Sequence, residues 1–262
     1  KINEKIMSNF LFYQYSYGSD NYGVLVHDPL SSKTACIDVG DANKALNELK
    51  NQNLKLDEIW ITHHHGDHTE GLLKLKQETG AFVYGPKQIS QSINGLDKEL
   101  TQGDEFTFSD QKVKVIHTPG HTTDMINFYL PNQNTLFSGD TLFALGCGRI
   151  FEGNPPMMWE SLQKLMALPE ETIIYCSHEY TLANAYFSIS VDPTNQELKD
   201  RVKIIEGLRN KGLPTIPTKL GLELKTNPFL RVSNLEIRKN LNMIKETDSE
   251  VFEKIRLLKD NF

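Results

Sequence analysis

Segment 62–68 carries the densest group of metal-binding residue types in the chain. It reads Thr-His-His-His-Gly-Asp-His and holds four of the eight histidines within six positions. Imidazole nitrogens and carboxylate oxygens are usual ligands of Zn(II), Fe(II) and Mn(II). His63 and His65 are two residues apart, so an extended backbone would point them to the same side. A glycine then permits a sharp turn before Asp67 and His68, and the segment as a whole predicts a metal-binding loop.

Three further candidate ligands each follow a stretch that is typical of a strand. His121 stands in the sequence Thr-Pro-Gly-His-Thr, Asp140 in Ser-Gly-Asp-Thr, and His178 in Ser-His-Glu-Tyr. Strand ends on one edge of a sheet converge on one crevice. We therefore expect these three side chains to join the 62–68 loop in a single site.

Seven candidate ligands predict two metal ions, because one ion of this class usually takes about four ligands. The expected division is His63, His65 and His121 on one ion and Asp67, His68 and His178 on the other, with Asp140 bridging them. Two divalent cations carry four positive charges, which the two aspartates and a bound hydroxide offset only in part. The sequence therefore predicts an electrophilic hydrolytic centre in which Asp67 and Asp140 are the catalytic carboxylates and a metal-activated water is the nucleophile.

The remaining histidines and the cysteines favour structural roles. His27 precedes an Asp-Pro turn, His64 points away from its neighbours in an extended segment, and His117 ends a strand. The cysteines are odd in number and fit neither a disulfide framework nor a CxxC zinc site, so we expect small buried thiols. They are Cys36, Cys147 and Cys176.

Composition argues against several classes of function. The chain has 262 residues and a formal net charge of -6. Binding to nucleic acid or to an anionic membrane needs clustered positive charge, whereas a small acidic substrate needs only a few local cations. No apolar run approaches the ~20 residues of a membrane span, and the first residues lack a signal-peptide core. We therefore expect a cytoplasmic protein, most simply a monomer, that acts on a small molecule.

Short strands and helices alternate up to about residue 175, and the later segments are helical. Strands are predicted at 24–26, 34–37, 58–62, 81–84, 105–108, 113–117, 126–130, 135–138 and 172–175. Helices are predicted at 42–50 and 158–168, then at 180–189, 196–208, 235–244 and 249–258. Another helix carries Leu72, Leu73 and Leu75, with Thr69 as its cap and Gly80 as its end. These patterns predict an α/β domain over 1–179 that holds the metals and a helical domain over 180–262.

These motifs, in this order, resemble the metallo-β-lactamase superfamily. Its signature is His-x-His-x-Asp-His, followed by a single His, an Asp and a last His. Within the superfamily the chain is similar to the glyoxalase II (hydroxyacylglutathione hydrolase) family over nearly its whole length. The closer likeness rests on Gly-Asp-Thr-Leu-Phe at 139–143, Gly-Cys-Gly-Arg-Ile-Phe-Glu-Gly at 146–153, His-Glu-Tyr-Thr at 178–181 and Asn-Pro-Phe-Leu-Arg at 227–231.

The resemblance implies a four-layer αββα sandwich with a C-terminal helical domain, and it implies the same seven metal ligands. It also implies a glutathione-contacting surface that consists of Arg149, Phe151, Tyr180, Arg231 and Asn234. The two arginines suit the carboxylates of glutathione. The implied activity is hydrolysis of an S-2-hydroxyacylglutathione, such as S-D-lactoylglutathione, to glutathione and D-lactate, as in methylglyoxal detoxification. The implied cofactors are two divalent cations, zinc before iron or manganese.

Two departures from the family pattern bear on this interpretation. Many relatives have Gly-His-Thr-x-Gly-His where residues 120–125 read Gly-His-Thr-Thr-Asp-Met, which predicts altered contacts behind the ligands. Some relatives have a tyrosine in place of Phe151 and a lysine in the segment after Arg231, so weaker glutathione binding or another thiol carrier is an alternative. Two other functions stay open, namely a mononuclear iron persulfide dioxygenase of the same fold and a non-catalytic metal-binding scaffold.

Overall fold

The computed structural model describes residues 9–87 and 92–262 and has two six-stranded sheets at its centre. The strands of the first sheet are β1 (Leu11–Tyr17), β2 (Asn21–Asp28), β3 (Lys33–Ile37), β4 (Glu58–Trp60), β5 (Phe82–Pro86) and β6 (Lys98–Leu100). They lie side by side in chain order. Neighbours are antiparallel from β1 to β3 and parallel from β3 to β6.

The second sheet gathers strands from later in the chain. Its strands are β7 (Glu105–Phe108), β8 (Gln111–His117), β9 (Ile126–Leu130), β10 (Thr135–Gly139), β13 (Ile173–Cys176) and β14 (Thr218–Lys219). They lie in the order β14-β13-β10-β9-β8-β7, and β10 and β13 are parallel. A small hairpin of β11 (Leu142–Phe143) and β12 (Gly146–Cys147) follows β10.

Helices occupy the connections and the C-terminal third of the described chain. They are α1 (Ala42–Asn51), α2 (Gly66–Thr69), α3 (Leu72–Thr79), α4 (Pro155–Met166), α5 (Thr181–Val191), α6 (Gln196–Asn210), α7 (Leu220–Thr226), α8 (Leu235–Leu241) and α9 (Asp248–Asp260). Local sequence explains several of their ends. Asp41 accepts hydrogen bonds from two backbone N–H groups at the start of α1, and Gly80 ends α3 with φ of 72°. Thr247 and Glu250 form a capping box at the start of α9.

Apolar side chains from both sheets meet in a central layer. Along β2, Val24 and Val26 face this layer, whereas Leu25 between them faces the other side of the sheet, as the two-residue period of a strand requires. Trp60 at the end of β4 crosses the layer, with its ring centroid 5.2 Å from those of Phe106 and Phe108. Burial of these large rings holds the two sheets in one fixed relation.

The outer faces of the sheets are covered by helices. Alanine and leucine side chains of α1 and α3 pack on the first sheet, together with Leu25 and Ile59. Trp159 of α4 and Phe252 of α9 stack at 5.9 Å in the cluster that covers the second sheet. Helix, sheet, sheet and helix therefore form four layers, and the predicted αββα fold class with a helical C-terminal part is confirmed.

The C-terminal part is joined to the second sheet by hydrogen bonds as well as by apolar contacts. Strand β14 pairs with β13, so the expectation of helices alone after Glu179 is wrong. The side-chain amide of Asn227 donates to the carbonyls of Phe143 and Gly146, at 3.2 and 3.1 Å, and so holds the β11–β12 hairpin. The division into domains at residue 179 stays a prediction.

Most predicted elements lie within a few residues of those observed, but a predicted helix cap is wrong and one strand was missed, both for local reasons. Gly71 precedes α3, whereas Thr69 ends α2 and donates its hydroxyl to the carbonyl of His65 at 2.9 Å, so Thr69 is not the cap of α3. Strand β1 was not predicted, because its residues are partly exposed on both faces and show no clean alternation.

The cysteines are buried thiols without disulfide bonds, as expected from their number and spacing. Burial raises the pKa of the Cys36 thiol to about 12 and that of the Cys147 thiol to about 11. Both are therefore protonated and weakly nucleophilic near neutral pH. Among the described residues, every helix is too short or too polar to cross a membrane.

A buried ion pair between Arg201 of α6 and Glu223 of α7 stabilises the C-terminal part. Glu223 also accepts a hydrogen bond from the backbone N–H of Leu145, at 2.8 Å, and Arg201 donates to Thr226 at 2.7 Å. We predict that E223A lowers the free energy of unfolding by about 3–5 kcal/mol, because Arg201 is left buried without its partner. Urea denaturation measures this.

The control is D200A, which removes the exposed pair of Asp200 and Lys203 in the same helix. Its expected cost is below about 1 kcal/mol. An equal loss in the free energy of unfolding for E223A and D200A would contradict a larger stabilising role for the buried ion pair.

Candidate metal centre

The candidate ligands lie where strands of both sheets end at one edge. β8, β10 and β13 run in the same direction, and the residues after their carboxyl ends contribute His121, Asp140 and His178. The 62–68 loop follows β4 of the first sheet. The carbonyl of Thr62 accepts a hydrogen bond from Ile126 N–H at 2.9 Å, which joins the two sheets beside the loop. The structure thus brings all seven predicted ligands together.

Three histidines form the first ligand group. His65 Nδ1 lies 3.1 Å from His63 Nε2 and 3.0 Å from His121 Nε2. One ring nitrogen of each residue can therefore face a common point.

The second ligand group combines a carboxylate with two histidines. Asp67 Oδ2 lies 3.4 Å from His68 Nε2 and 3.4 Å from His178 Nε2. Both histidines are buried, whereas Asp67 is exposed toward solvent. The second group can therefore hold a cation at a position that solvent can reach.

Asp140 lies between the two groups. Its Oδ2 is 3.3 Å from His121 Nε2 of the first group and 3.4 Å from His178 Nε2 of the second, and its Oδ1 is 3.4 Å from His68 Nε2. One carboxylate thus faces both groups, and it also lies within reach of His63 and His68 together, so the division of ligands between two ions stays a prediction.

The donor set fits two divalent cations. Asp140 Oδ1 and His68 Nε2 are buried and have no hydrogen-bond partner among the described residues. Buried polar atoms normally have partners, so two such atoms that face each other indicate a place for a ligand. Imidazole and carboxylate are the donor types that Zn(II), Fe(II) and Mn(II) share.

The electrostatics of the two groups differ. Burial, together with the neighbouring His68, holds the pKa of His63 well below its usual value, and burial also lowers the pKa of His65 and His121. These three rings are therefore neutral and have lone pairs to offer. In the second group burial opposes protonation, but Asp140 outweighs it and raises the pKa of His68 and His178. Protons balance the charge of Asp140 there, and a bound cation would replace them.

The outer nitrogens of the candidate ligands are also held. Asp38, buried with φ of 55°, accepts hydrogen bonds from Thr62 N at 2.7 Å and from Thr62 Oγ1 at 2.9 Å. The same carboxylate lies 2.8 Å from His68 Nδ1. Asp20 lies 2.8 Å from His178 Nδ1. Such contacts fix ring orientation and raise ligand basicity.

Asp38 and Asp20 were missed by the sequence analysis. Asp38 directly follows β3, whose parallel neighbour β4 leads into the metal-binding loop, so the strand-end argument used for Asp140 would have found it. Asp20 lies in the turn between β1 and β2, and nothing in its local sequence distinguishes it.

A cavity of about 780 Å³ opens beside the two ligand groups. Its wall combines aromatic side chains with cations, namely Phe143, Phe151, Tyr180, Arg149, Arg256 and Lys259. The Tyr180 ring stacks on His178 with a centroid separation of 4.7 Å, and the Phe151 ring lies edge-on to His121 at 5.2 Å. Three predicted substrate residues, Arg149, Phe151 and Tyr180, therefore lie next to the candidate metal centre.

The other two predicted substrate residues have different partners. Arg231 forms an ion pair with Asp192 at 3.2 Å. The side chain of Asn234 accepts hydrogen bonds from backbone N–H groups in the first turn of α8. Neither residue belongs to the cavity wall among the described residues. A direct contact between substrate and Arg231 or Asn234 thus stays a prediction without support from the cavity.

Two cavity cations were missed by the sequence analysis. Arg256 and Lys259 lie three residues apart on α9, so they share a face of the helix. Arg256 Nη1 donates to the carbonyl of Cys147 at 2.8 Å, which ties α9 to the β11–β12 hairpin. The spacing was visible in the sequence, but only the packing of α9 on α4 places these cations beside the cavity.

Two family models match the chain. The model of the metallo-beta-lactamase superfamily matches residues 30–178, and the model of the hydroxyacylglutathione hydrolase C-terminus matches residues 179–262. The first covers the candidate ligands, and the second covers the helices that supply Arg256 and Lys259 to the cavity wall.

Curated relatives agree over nearly the whole length. The hydroxyacylglutathione hydrolase of Bartonella henselae is 48% identical over 252 residues, covering 96% of this chain and 100% of the relative. That of Rhizobium meliloti is 50% identical over 244 residues, covering 93% and 95%.

Solved structures share the fold at lower identity. ETHE1 from Myxococcus xanthus superposes with a TM-score of 0.65 at 24% identity, covering 94% of this chain and 96% of that chain. The B3 metallo-beta-lactamase BLEG-1 superposes with a TM-score of 0.63 at 22% identity, covering 84% and 99%. These two likenesses concern the fold alone.

The contacts of Asp38 lead to a prediction about metal affinity. D38A is expected to weaken the binding of divalent cations by roughly 10- to 100-fold, because Thr62 and His68 lose the group that orients them. Competition with a chromophoric chelator measures the affinity.

D41N is the matched control, since Asp41 lies three residues away and asparagine is an equally good helix cap. Metal affinity in D38A equal to that in D41N would refute the proposed orienting role.

Proposed function

Since this chain belongs to the hydroxyacylglutathione hydrolase family of the metallo-β-lactamase superfamily, we propose that it hydrolyses S-2-hydroxyacylglutathione thioesters at a dinuclear metal centre. The products are glutathione and a 2-hydroxy acid, with S-D-lactoylglutathione and D-lactate as the first choice. One observation carries the proposal, namely that two converging ligand groups share Asp140 and lie beside a cavity with aromatic and cationic walls.

The proposed metal ligands are the seven predicted from the sequence: His63, His65, His121, Asp67, His68, His178 and Asp140. When bound, two divalent cations supply Lewis acidity that activates water and polarises the thioester carbonyl. We propose zinc as the resident metal, with iron and manganese as alternatives that the same donors accept. A monomeric state and a cytoplasmic location stay predictions.

The residues of the chain contribute charge and orientation. Asp140 and Asp67 hold negative charge beside the reacting centre. Burial, with Asp20 and other nearby carboxylates, raises the pKa of Tyr180 well above its usual value, so its hydroxyl keeps its proton and is oriented by a hydrogen bond to Asp20. The leaving group is a thiolate, which departs without a dedicated proton donor because thiols are far more acidic than amines.

The cavity cations suit the carrier half of the substrate. Glutathione has two carboxylates, and the wall offers the guanidinium groups of Arg149 and Arg256, which share Asp260 as a partner, and the ammonium of Lys259. Guanidinium binds carboxylate through two parallel hydrogen bonds, and lysine binds it as a point charge. Phe151 and Phe143 cover the apolar part of the same cavity.

Two competing functions receive less support. A mononuclear iron persulfide dioxygenase needs two histidines and one carboxylate with open positions. Here the group of Asp67, His68 and His178 is complete beside the all-histidine group, which favours two ions. A non-catalytic scaffold would be expected to have a damaged ligand set, and all seven candidate ligands are present.

The proposed hydrolase function is tested by measuring thioester hydrolysis and metal content on the same purified protein. We expect the purified protein to hold two divalent ions and to hydrolyse S-D-lactoylglutathione. D140N is expected to lose metal and to lower kcat/KM by roughly 100-fold or more, because the carboxylate that faces both groups is gone. Elemental analysis and spectrophotometric assay measure the two effects.

D41N again serves as the control. The dioxygenase would be favoured instead if the fully metal-loaded protein left thioesters intact and consumed oxygen when given glutathione persulfide. Full activity of D140N with two ions retained would refute the shared role of Asp140.

A substitution of Lys259 tests separately whether the cavity cations bind the glutathione part of the substrate. K259A is expected to raise KM for S-D-lactoylglutathione roughly tenfold, because one charge-assisted contact is lost, while kcat stays near the wild-type value. K254A removes an equal charge from an exposed position of the same helix and is the matched control. A change in kcat alone would argue against a binding role for Lys259.

A further inference from the structure

A third cluster of ligand-type side chains lies behind the metal-binding loop and takes no part in the two ligand groups. It consists of His64, Asp124 and Glu152, of which the first two are buried. His64 separates His63 from His65 in the chain, and Glu152 follows Phe151 of the cavity wall. The cluster therefore connects the metal-binding loop with the segment that carries two cavity residues.

The contacts of His64 extend in two directions. Its Nδ1 lies 2.9 Å from Asp124 Oδ2, and its Nε2 lies 3.2 Å from Glu152 Oε1. Each ring nitrogen thus faces a different carboxylate. A cation would need a nitrogen lone pair and both carboxylates at one point, so this arrangement favours a bridge between segments.

Glu152 extends the bridge to the loop that carries His121. Its Oε2 accepts hydrogen bonds from the backbone N–H of Thr123 at 2.8 Å and from Thr123 Oγ1 at 3.0 Å. One carboxylate therefore contacts both the 62–68 loop and the 120–124 loop. Hydrogen bonds to a charged acceptor are among the stronger ones in proteins.

Segment 149–153 depends on such contacts for its position. The side chains of Arg149 and Phe151 are 58% and 61% exposed, and their contacts are an ion pair with Asp260 at 3.4 Å and edge-on ring contacts with His65 and His121. Backbone hydrogen bonds from Phe151 and Glu152 to the carbonyl of His121 measure 3.2 and 3.3 Å. The carbonyl of Arg149 lies 2.7 Å from His121 Nδ1, and the side chain of Glu152 adds the contacts with Thr123 at 2.8 and 3.0 Å.

We propose that Glu152, hydrogen-bonded to Thr123 and in contact with His64, is a positioning residue that fixes segment 149–153 beside the metal-binding loop for binding of the glutathione moiety. This inference rests on the proposed function for the identity of the ligand. Glu152 acts through Arg149, the cation of this segment, so its loss weakens binding of the thiol carrier. The ligand groups keep their contacts with Asp38 and Asp20, so metal binding is retained.

Calorimetric titration with glutathione tests the inference without any catalytic step. E152A is expected to bind glutathione roughly tenfold more weakly than wild type, with two ions retained per chain. E160A, which removes an equal charge from an exposed position of α4, is the matched control and should bind like wild type. E152Q keeps an acceptor oxygen for Thr123 and should fall within about threefold of wild type.

A double variant separates positioning from a direct contact. If Glu152 acts through Arg149, the combination of E152A with R149A should bind glutathione about as weakly as R149A alone. In steady-state assays the E152A defect should lie in KM for the glutathione thioester. It should be absent for a thioester whose thiol lacks carboxylates.

If E152A does not fold, T123V tests the inference in its place. This substitution removes one of the two hydrogen bonds to Glu152 and keeps the shape of the side chain at position 123. It should weaken glutathione binding about threefold. Binding by E152A and T123V equal to that of E160A overturns the inference, as does full additivity of E152A and R149A. A wild type that binds glutathione but leaves its thioesters intact refutes the proposed function instead.

Discussion

The buried carboxylate of Asp140 is the constraint on which the rest of the site depends. It faces His68, His121 and His178, and burial alone would make its charge costly. His68 and His178 nevertheless hold its pKa well below the usual range, so the charge is kept and must be balanced locally. Neutral histidines on one side and proton-bearing histidines on the other provide that balance. Two divalent cations would satisfy the same requirement in place of those protons.

The sandwich supplies the rigidity that this arrangement needs. Trp60, two residues before the metal-binding loop begins, is clamped by Phe106 and Phe108 from the opposite sheet. Asp38 then joins the end of β3 to Thr62 and His68. Core packing and a buried carboxylate thus fix the same loop from two sides. The ligand positions depend on the pairing register of the strands, because a shift of one residue would turn each side chain to the opposite face of the sheet.

Sequence reasoning found the features that are encoded locally and missed those that depend on packing. His63 and His65 could be recognised because spacing and residue type are visible in seven consecutive residues. The strand-end argument extended the site to His121, Asp140 and His178 across the fold. Arg256 could not be found in this way, because its place beside the cavity depends on how α9 packs against α4. Arg231 looked equally suitable from its charge, yet Asp192 is its partner in the folded chain.

The pairing of β14 with β13 has a consequence for the choice of substrate. β14 belongs to the C-terminal segment, and β13 leads directly to His178, so backbone hydrogen bonds fix this segment to the second sheet, while Arg256 ties α9 to the β11–β12 hairpin. The span from the cations of α9 to the candidate metal centre is therefore set by the frame and not by a hinge. Under the proposed function, such a frame favours a thiol carrier whose carboxylates and thioester carbonyl are separated by that span.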